Sequence, residues 1–145
     1  MKKLKILVID DEDIIHDIVS FMLNSRGYNT ICVSNGELGL TKARNEHPDL
    51  ILLDIMMPGL DGHKVCARLK ADKDTKKIPV IMLTGESDRD AVVKAREIGA
   101  NDYVVKPFTL PILLERIDNI LGKKGERNLQ KDHWWQRLFR RIKRS

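Results

Sequence analysis

Residues 50–62 read LILLDIMMPGLDG, and the fold is decided there. Four apolar side chains, Leu50 to Leu53, run unbroken into an acid, Asp54, and the turn pair Pro58-Gly59 follows. A short run without polar alternation, bounded by turn chemistry, is the pattern of a strand covered on both faces, as in a parallel sheet. Asp54 then stands where that strand leaves the core. Ligands of open α/β sheets bind at this carboxyl edge, so other groups brought to the same edge should act with Asp54.

Three more apolar runs end in polar chemistry. Residues 4–9 lead into Asp10-Asp11, residues 79–83 into Thr84-Gly85, and residues 103–105 into Lys106-Pro107. A short β-branched run, 30–33, is a further strand. Between these the period changes to that of a helix: Ile14, Ile15, Ile18, Val19, Met22 and Leu23 recur at helical spacing, and Gly27 closes the segment. Residues 37–46, stopped by His47-Pro48, and residues 64–71, 88–98 and 110–121 complete the helices, with Gly99 and Gly122 after the last two. Five strand–helix units in strict alternation predict an α/β fold, a doubly wound five-stranded parallel sheet with right-handed crossovers.

The chain has 145 residues, enough for one domain with a proper core. At 42% hydrophobic and 32% charged it has the composition of a soluble globular protein. No apolar run approaches the ~18 residues of a membrane span. The basic N-terminus meets acids before a signal core is complete, so a cytoplasmic protein is expected. Cys32 and Cys66 lie in apolar-patterned segments without metal-ligand spacing and read as buried free thiols. The net charge of +5 conceals an asymmetry: residues 123–145 hold nine Lys/Arg against two acids, while the body before them is mildly acidic. The chain therefore divides into a domain at 1–122 and a basic tail at 123–145.

Each polar strand end has a bland reading when taken alone. Asp10 or Asp11 could cap the helix that follows, Thr84 could close a local turn, Lys106 could be a solvated lysine, and Asp54 could begin a turn. Together they form a chemical set. Three carboxylates in one crevice repel, and a hard cation such as Mg²⁺ relieves the repulsion while keeping waters for a phosphate. A carboxylate is a competent nucleophile toward phosphorus, and a lysine and a metal offset charge on a transferring group.

The segments KILVIDDEDI, LILLDIMMPGLDG, PVIMLTGES and NDYVVKPF, in this order and spacing, resemble the receiver domain of two-component response regulators over residues 4–121. The resemblance implies a flavodoxin-like (βα)5 fold with strand order 2-1-3-4-5. It implies that Asp54 accepts a phosphoryl group as an aspartyl-phosphate. Asp11 and Asp54 would bind Mg²⁺ directly with the backbone carbonyl of Met56, and Asp10 would act through a metal-bound water. Thr84 and Lys106 would contact the phosphoryl group. Lys106-Pro107 is expected to be a cis peptide, and Tyr103 matches the aromatic switch that moves inward as the threonine shifts. Its bland reading is a half-buried strand tyrosine. The implied role is a phosphoacceptor served by a histidine kinase or phosphotransfer protein, not an enzyme beyond slow self-catalysed phosphorylation and dephosphorylation. Gly85 follows the threonine where a small residue, often alanine, is usual, and Met56 and Glu86 occupy positions that tune phosphoryl lifetime.

Two rivals remain. Aspartyl-nucleophile phosphatases of the dehalogenase type place a second Asp two residues after the nucleophile; Met56 stands there and cannot transfer a proton. A scaffold or targeting module whose receiver no longer switches would not need the full constellation.

The tail resumes a helical pattern from Lys131. Trp135, Leu138, Phe139 and Ile142 fall at i, i+3, i+4 and i+7, with Trp134 widening the stripe, and Arg137, Arg140, Arg141 and Arg144 follow the same spacing two places on. Two places is about 200° around a helix, so the basic face lies opposite the apolar one. Twenty-three residues are too few for a DNA-binding output domain, so a stand-alone receiver with an unknown output protein is expected and DNA is the least favoured partner. The helix could pack on its own domain or a dimer mate, enter a partner groove, or make weak contact with a membrane surface, leaving the protein peripheral. A dimer through charged pairs of the fourth and fifth helices is expected to be absent or altered. Asp102 and Arg116 match one such pair, but Val93 with Ile112 and Asn101 with Ile120 do not, leaving a monomer or weak dimer.

Overall fold

The structure, a computed structural model, describes residues 3–85 and 89–122. Five strands, β1 (Lys5–Ile9), β2 (Asn29–Val33), β3 (Leu50–Asp54), β4 (Val80–Thr84) and β5 (Asp102–Val105), alternate with five helices. The helices are α1 (Asp13–Asn24), α2 (Gly36–Glu46), α3 (Gly62–Ala71), α4 (Arg89–Ile98) and α5 (Leu110–Leu121). All strand pairs are parallel, in the order β2-β1-β3-β4-β5. The expected α/β sheet and its strand order are therefore the observed ones.

The unbroken apolar runs have a direct cause. Alternate side chains of each central strand enter two different layers. Leu7, Ile9, Ile51, Leu53, Val80 and Met82 pack toward Ala43, Val65, Leu69, Val92 and Ala95 of α2, α3 and α4. Ile6, Val8, Leu50, Leu52, Ile81 and Leu83 pack toward Val19, Leu23, Leu113 and Ile117 of α1 and α5. Both faces of β1, β3 and β4 are thus covered, and no polar alternation is tolerated.

Gly27 and Gly99 end their helices with φ of +89° and +117°, which glycine adopts without a Cβ penalty. Helix α3 begins at Gly62, earlier than the apolar period alone implies, because Asp61 caps it and accepts from the Lys64 amide at 3.0 Å. Among the described residues no helix is long and apolar enough to cross a membrane. The tail residues Trp134, Trp135, Arg137, Leu138, Phe139, Arg140, Arg141 and Ile142, and Glu86 before α4, lie outside the described residues.

Candidate functional site at the carboxyl edge of the sheet

The parallel arrangement carries Asp10, Asp54, Thr84 and Lys106 to one edge. Strands β1 and β3 are in register, Ile9 beside Leu53, so Asp10 and Asp54 leave adjacent strands at the same level. Asp54 and Leu83 are partners across β3 and β4, which puts Thr84 one step farther along. The Lys106 amide donates to the Thr84 carbonyl at 2.6 Å, tying the last two strand ends together. Lys106-Pro107 is a cis peptide, as the resemblance implied.

Lys106 is the hub. Its Nζ lies 2.7 Å from Asp10 Oδ2, 3.2 Å from Glu12 Oε1 and 3.5 Å from Asp54 Oδ2. Carboxylate oxygens of Asp10, Asp11, Glu12 and Asp54 all lie within 4.8 Å of one another. Asp10 and Asp54 are buried, whereas Asp11 and Glu12 are exposed and form the rim. Burial raises the Asp54 carboxyl to about 6, and the Asp10 charge adds to this. The Lys106 charge and the Met56 amide, which donates to Asp54 Oδ1 at 3.2 Å, pull the other way. Burial works against the charged form of Lys106, but the Asp10 hydrogen bond and the charges of Asp54 and Asp10 outweigh it and hold the ammonium above its usual value.

Four carboxylates against one ammonium are an incompletely compensated, all-oxygen set, and that chemistry suits a hard divalent cation. The residues present therefore fit Mg²⁺. Met56 is exposed beside the site, and its amide rather than its carbonyl is the group with a defined contact.

Glu12 is a member the sequence reading missed. It looked like one more acid at a helix start. In fact it is the N-cap residue of α1, in extended conformation and without a side-chain cap bond. Its amide instead donates to Asp10 Oδ1 at 2.9 Å, a local Asx-type bond, and the Glu12 carboxylate turns to Lys106. Neither Asp10 nor Asp11 is the cap. His16 was also unread; its Nε2 lies 2.6 Å from the Asp10 carbonyl oxygen and braces the β1–α1 turn.

Tyr103 pairs with Met82 and is buried in the layer facing α4, at 8% exposure, so it occupies an inward position rather than a half-buried one. Asp102, paired with Arg116 in the sequence reading of a dimer, is buried, and Arg116 Nε approaches its carboxylate at 3.7 Å within the same chain.

The turn after Asp54 closes because Gly62 has no side chain. Its amide bonds the Ile55 carbonyl at 2.9 Å, and a Cβ there would drive into the Asp54 carbonyl oxygen and the Ile55 backbone. Gly62→Ala is therefore expected to lower stability by about 2 kcal/mol through backbone overpacking, measurable by urea unfolding. An unchanged midpoint would contradict the close approach.

The comparisons with known proteins agree with this geometry. Residues 6–118 match the family model of the response regulator receiver domain. The "Probable transcriptional regulator ycf27" of Porphyridium aerugineum is 46% identical over 123 residues, covering 85% of this chain and 50% of that protein. The chain thus spans about half the length of this curated relative. Chemotaxis protein CheY4 of Vibrio cholerae superposes with a TM-score of 0.79 at 29% identity, covering 83% of this chain and all of that one. The receiver domain of sensor histidine kinase PA1611 from Pseudomonas aeruginosa does so with a TM-score of 0.77 at 27% identity, covering 84% and 100%; that structure holds a magnesium ion in its active-site cleft. Fold, strand-end chemistry and family model converge, and the chain belongs to the response regulator receiver domains.

Proposed function

We propose that the chain is a phosphoacceptor, with Asp54 taking a phosphoryl group from a histidine kinase or phosphotransfer protein. The observation that carries this reading is the buried Asp54 carboxylate, raised to about 6 and facing the Lys106 ammonium beside three further acids. At neutral pH such a carboxyl is still ionised, and its greater basicity makes it a better nucleophile than an ordinary aspartate. One Asp54 oxygen bonds phosphorus as the P–N bond of a phosphohistidine donor breaks, and the nitrogen keeps the electron pair. No separate general base is needed. Lys106, and the Thr84 hydroxyl from the neighbouring strand end, stabilise the added negative charge. Asp10, Asp11 and Asp54, with the Met56 carbonyl, would hold Mg²⁺, which supplies positive charge to the carboxylates and to the transferring group. Tyr103 would report the state of Thr84 to the face built by α4, β5 and α5.

In this reading the protein is not an enzyme beyond slow self-catalysis. It works in the cytoplasm, with residues 1–122 as the receiver and 123–145 as an appended tail. Output runs through a protein surface; Ile112, 44% exposed on α5 where the charged dimer pattern is broken, supports an apolar partner there.

Incubation with a small acyl phosphate and Mg²⁺, followed by intact mass, tests the proposal. Wild type should gain one phosphoryl group and Asp54→Asn none. No gain on wild type, or equal labelling of Asp54→Asn, would refute it.

A further inference from the structure

We infer that the exposed face of α1 is the docking site of the chain's own basic segment, residues 131–144, packed antiparallel to the helix. Ile14, Ile18 and Phe21 stand 58%, 40% and 79% exposed, at i, i+4 and i+7 on one stripe. They are the largest run of exposed apolar side chains on any described helix, and the core does not need them; Val19 and Leu23 face it instead. A stripe of this kind on a soluble domain calls for a cover.

The segment after α5 has the matching pattern. Trp135, Phe139 and Ile142 repeat the same i, i+4, i+7 spacing, with Leu138 and Trp134 beside them. Helices with stripes of equal period pack ridge to groove along their length.

Charge selects this occupant. Helix α1 carries Asp13 and Asp17, both exposed and one turn apart along the stripe, and no Lys or Arg. Asp11 and Glu12 extend the acidic border past its N-terminus. On the tail, Arg141 and Lys143 fall about 100° to either side of the apolar stripe, where they would meet such a border. A second copy of α1 would set acid against acid, and an anionic lipid surface would be repelled by it.

Connection permits it. Helices α1 and α5 share one face of the sheet. The Tyr28 hydroxyl, just past the end of α1, donates to Asp118 Oδ1 in the last turns of α5 at 3.4 Å. The chain therefore leaves α5 beside the C-terminal end of α1. Residues 123–130 can reach at most ~26 Å, more than the ~10 Å between packed helix axes. As a helix, the 14 residues that follow would span about 21 Å, against about 18 Å for α1. Running back along α1, they would place Trp135 near Phe21, Phe139 near Ile18 and Ile142 near Ile14.

The chain's two tryptophans are Trp134 and Trp135, so indole emission reports on this segment alone. In the dilute full-length protein, wild-type emission should be blue-shifted and poorly quenched by acrylamide. The double variant Ile18→Asp/Phe21→Asp should shift it to the red and raise the quenching constant severalfold. Asp13→Lys/Asp17→Lys should do the same through charge alone, and high salt should weaken the wild-type protection. All four positions are on the surface, so circular dichroism should show the fold intact in both variants; should one variant unfold, the other still decides. Quenching that neither variant changes overturns the inference. Protection that appears only as protein concentration rises assigns the segment to a second copy and overturns it. So does protection that appears only with phosphatidylserine vesicles, which assigns it to a membrane.

Discussion

Lys106→Ala should lower stability by about 3 kcal/mol at neutral pH in chelator and slow self-phosphorylation by a small acyl phosphate about 100-fold. The first figure follows from burial. Lys106 is only 13% exposed as a side chain, and its closest partner, Asp10, is fully buried. Removing the ammonium leaves a buried carboxylate beside Asp54, Asp11 and Glu12 with no cation from that position. Cutting one partner from a buried pair costs more than the pair contributes, because the remaining charge is stranded in a poor solvent for it. The second figure follows from the loss of a positive group 3.5 Å from the Asp54 oxygen, where phosphoryl charge would accumulate. The two effects separate on adding Mg²⁺. A divalent cation would bind the variant's uncompensated acids more tightly than the wild-type set and so stabilise the folded variant more. The rise in melting temperature with Mg²⁺ should therefore be larger for Lys106→Ala than for wild type, while the rate defect persists. A variant as stable as wild type in chelator would mean that Lys106 is not the hub.

Much of this site could be read from the chain because four of its members sit at the ends of apolar runs. A parallel sheet converts that sequence position into a spatial one: the residue after each buried strand must appear at the same edge. Asp10, Asp54, Thr84 and Lys106 were legible for that reason, and the register of β1, β3, β4 and β5 brings them to that edge. Glu12 and His16 were not, because their roles depend on the path of the β1–α1 turn. Four acids in a row, Asp10 to Asp13, are compatible with several caps. Only the Asp10 carboxylate bonding the Glu12 amide decides which side chain turns toward Lys106. His16 carries no periodic signal at all, since its contact is to a backbone carbonyl. The start of α3 shows a further limit. Apolar period marks where a helix buries its face, whereas Asp61 and the close approach of Gly62 mark where it begins. The bland reading of Tyr103, a half-buried strand tyrosine, gives way because its side chain lies in the cluster that also holds Val92 and Ala95 of α4.

The opposite substitution should strengthen the fold. Asp54→Asn is expected to raise stability by about 2 kcal/mol at pH 7.5 in chelator, with the gain vanishing near pH 4. The folded carboxyl titrates at about 6, chiefly because it is buried and secondarily because Asp10 is charged. In the unfolded chain an aspartate titrates near ~3.9. Between these values the folded form holds a proton that the unfolded form has released, so stability falls as pH rises through that window. Above about 6 the cost is fully developed. Two pH units correspond to roughly 3 kcal/mol, with the favourable Lys106 charge already included in that shift; the amide's imperfect match to the carboxyl's hydrogen bonds takes back part of it. Below about pH 4 both states bind the proton, and wild type and variant should coincide apart from the amide itself. Urea unfolding at pH 4, 5.5 and 7.5 reads the difference directly. Mg²⁺ at pH 7.5 should narrow the gap, because it would favour the ionised Asp54 of the wild type and find a poorer site in the variant. Combining the two changes gives a sharper criterion. If repulsion within the acidic set is what Lys106 relieves, Asp54→Asn should recover part of the stability lost in Lys106→Ala, so the double variant would be more stable than the sum of the single effects allows. Strict additivity would show that Lys106 and Asp54 are uncoupled, and a wild type as stable as Asp54→Asn at pH 7.5 would show that the strain assigned to this carboxylate is absent.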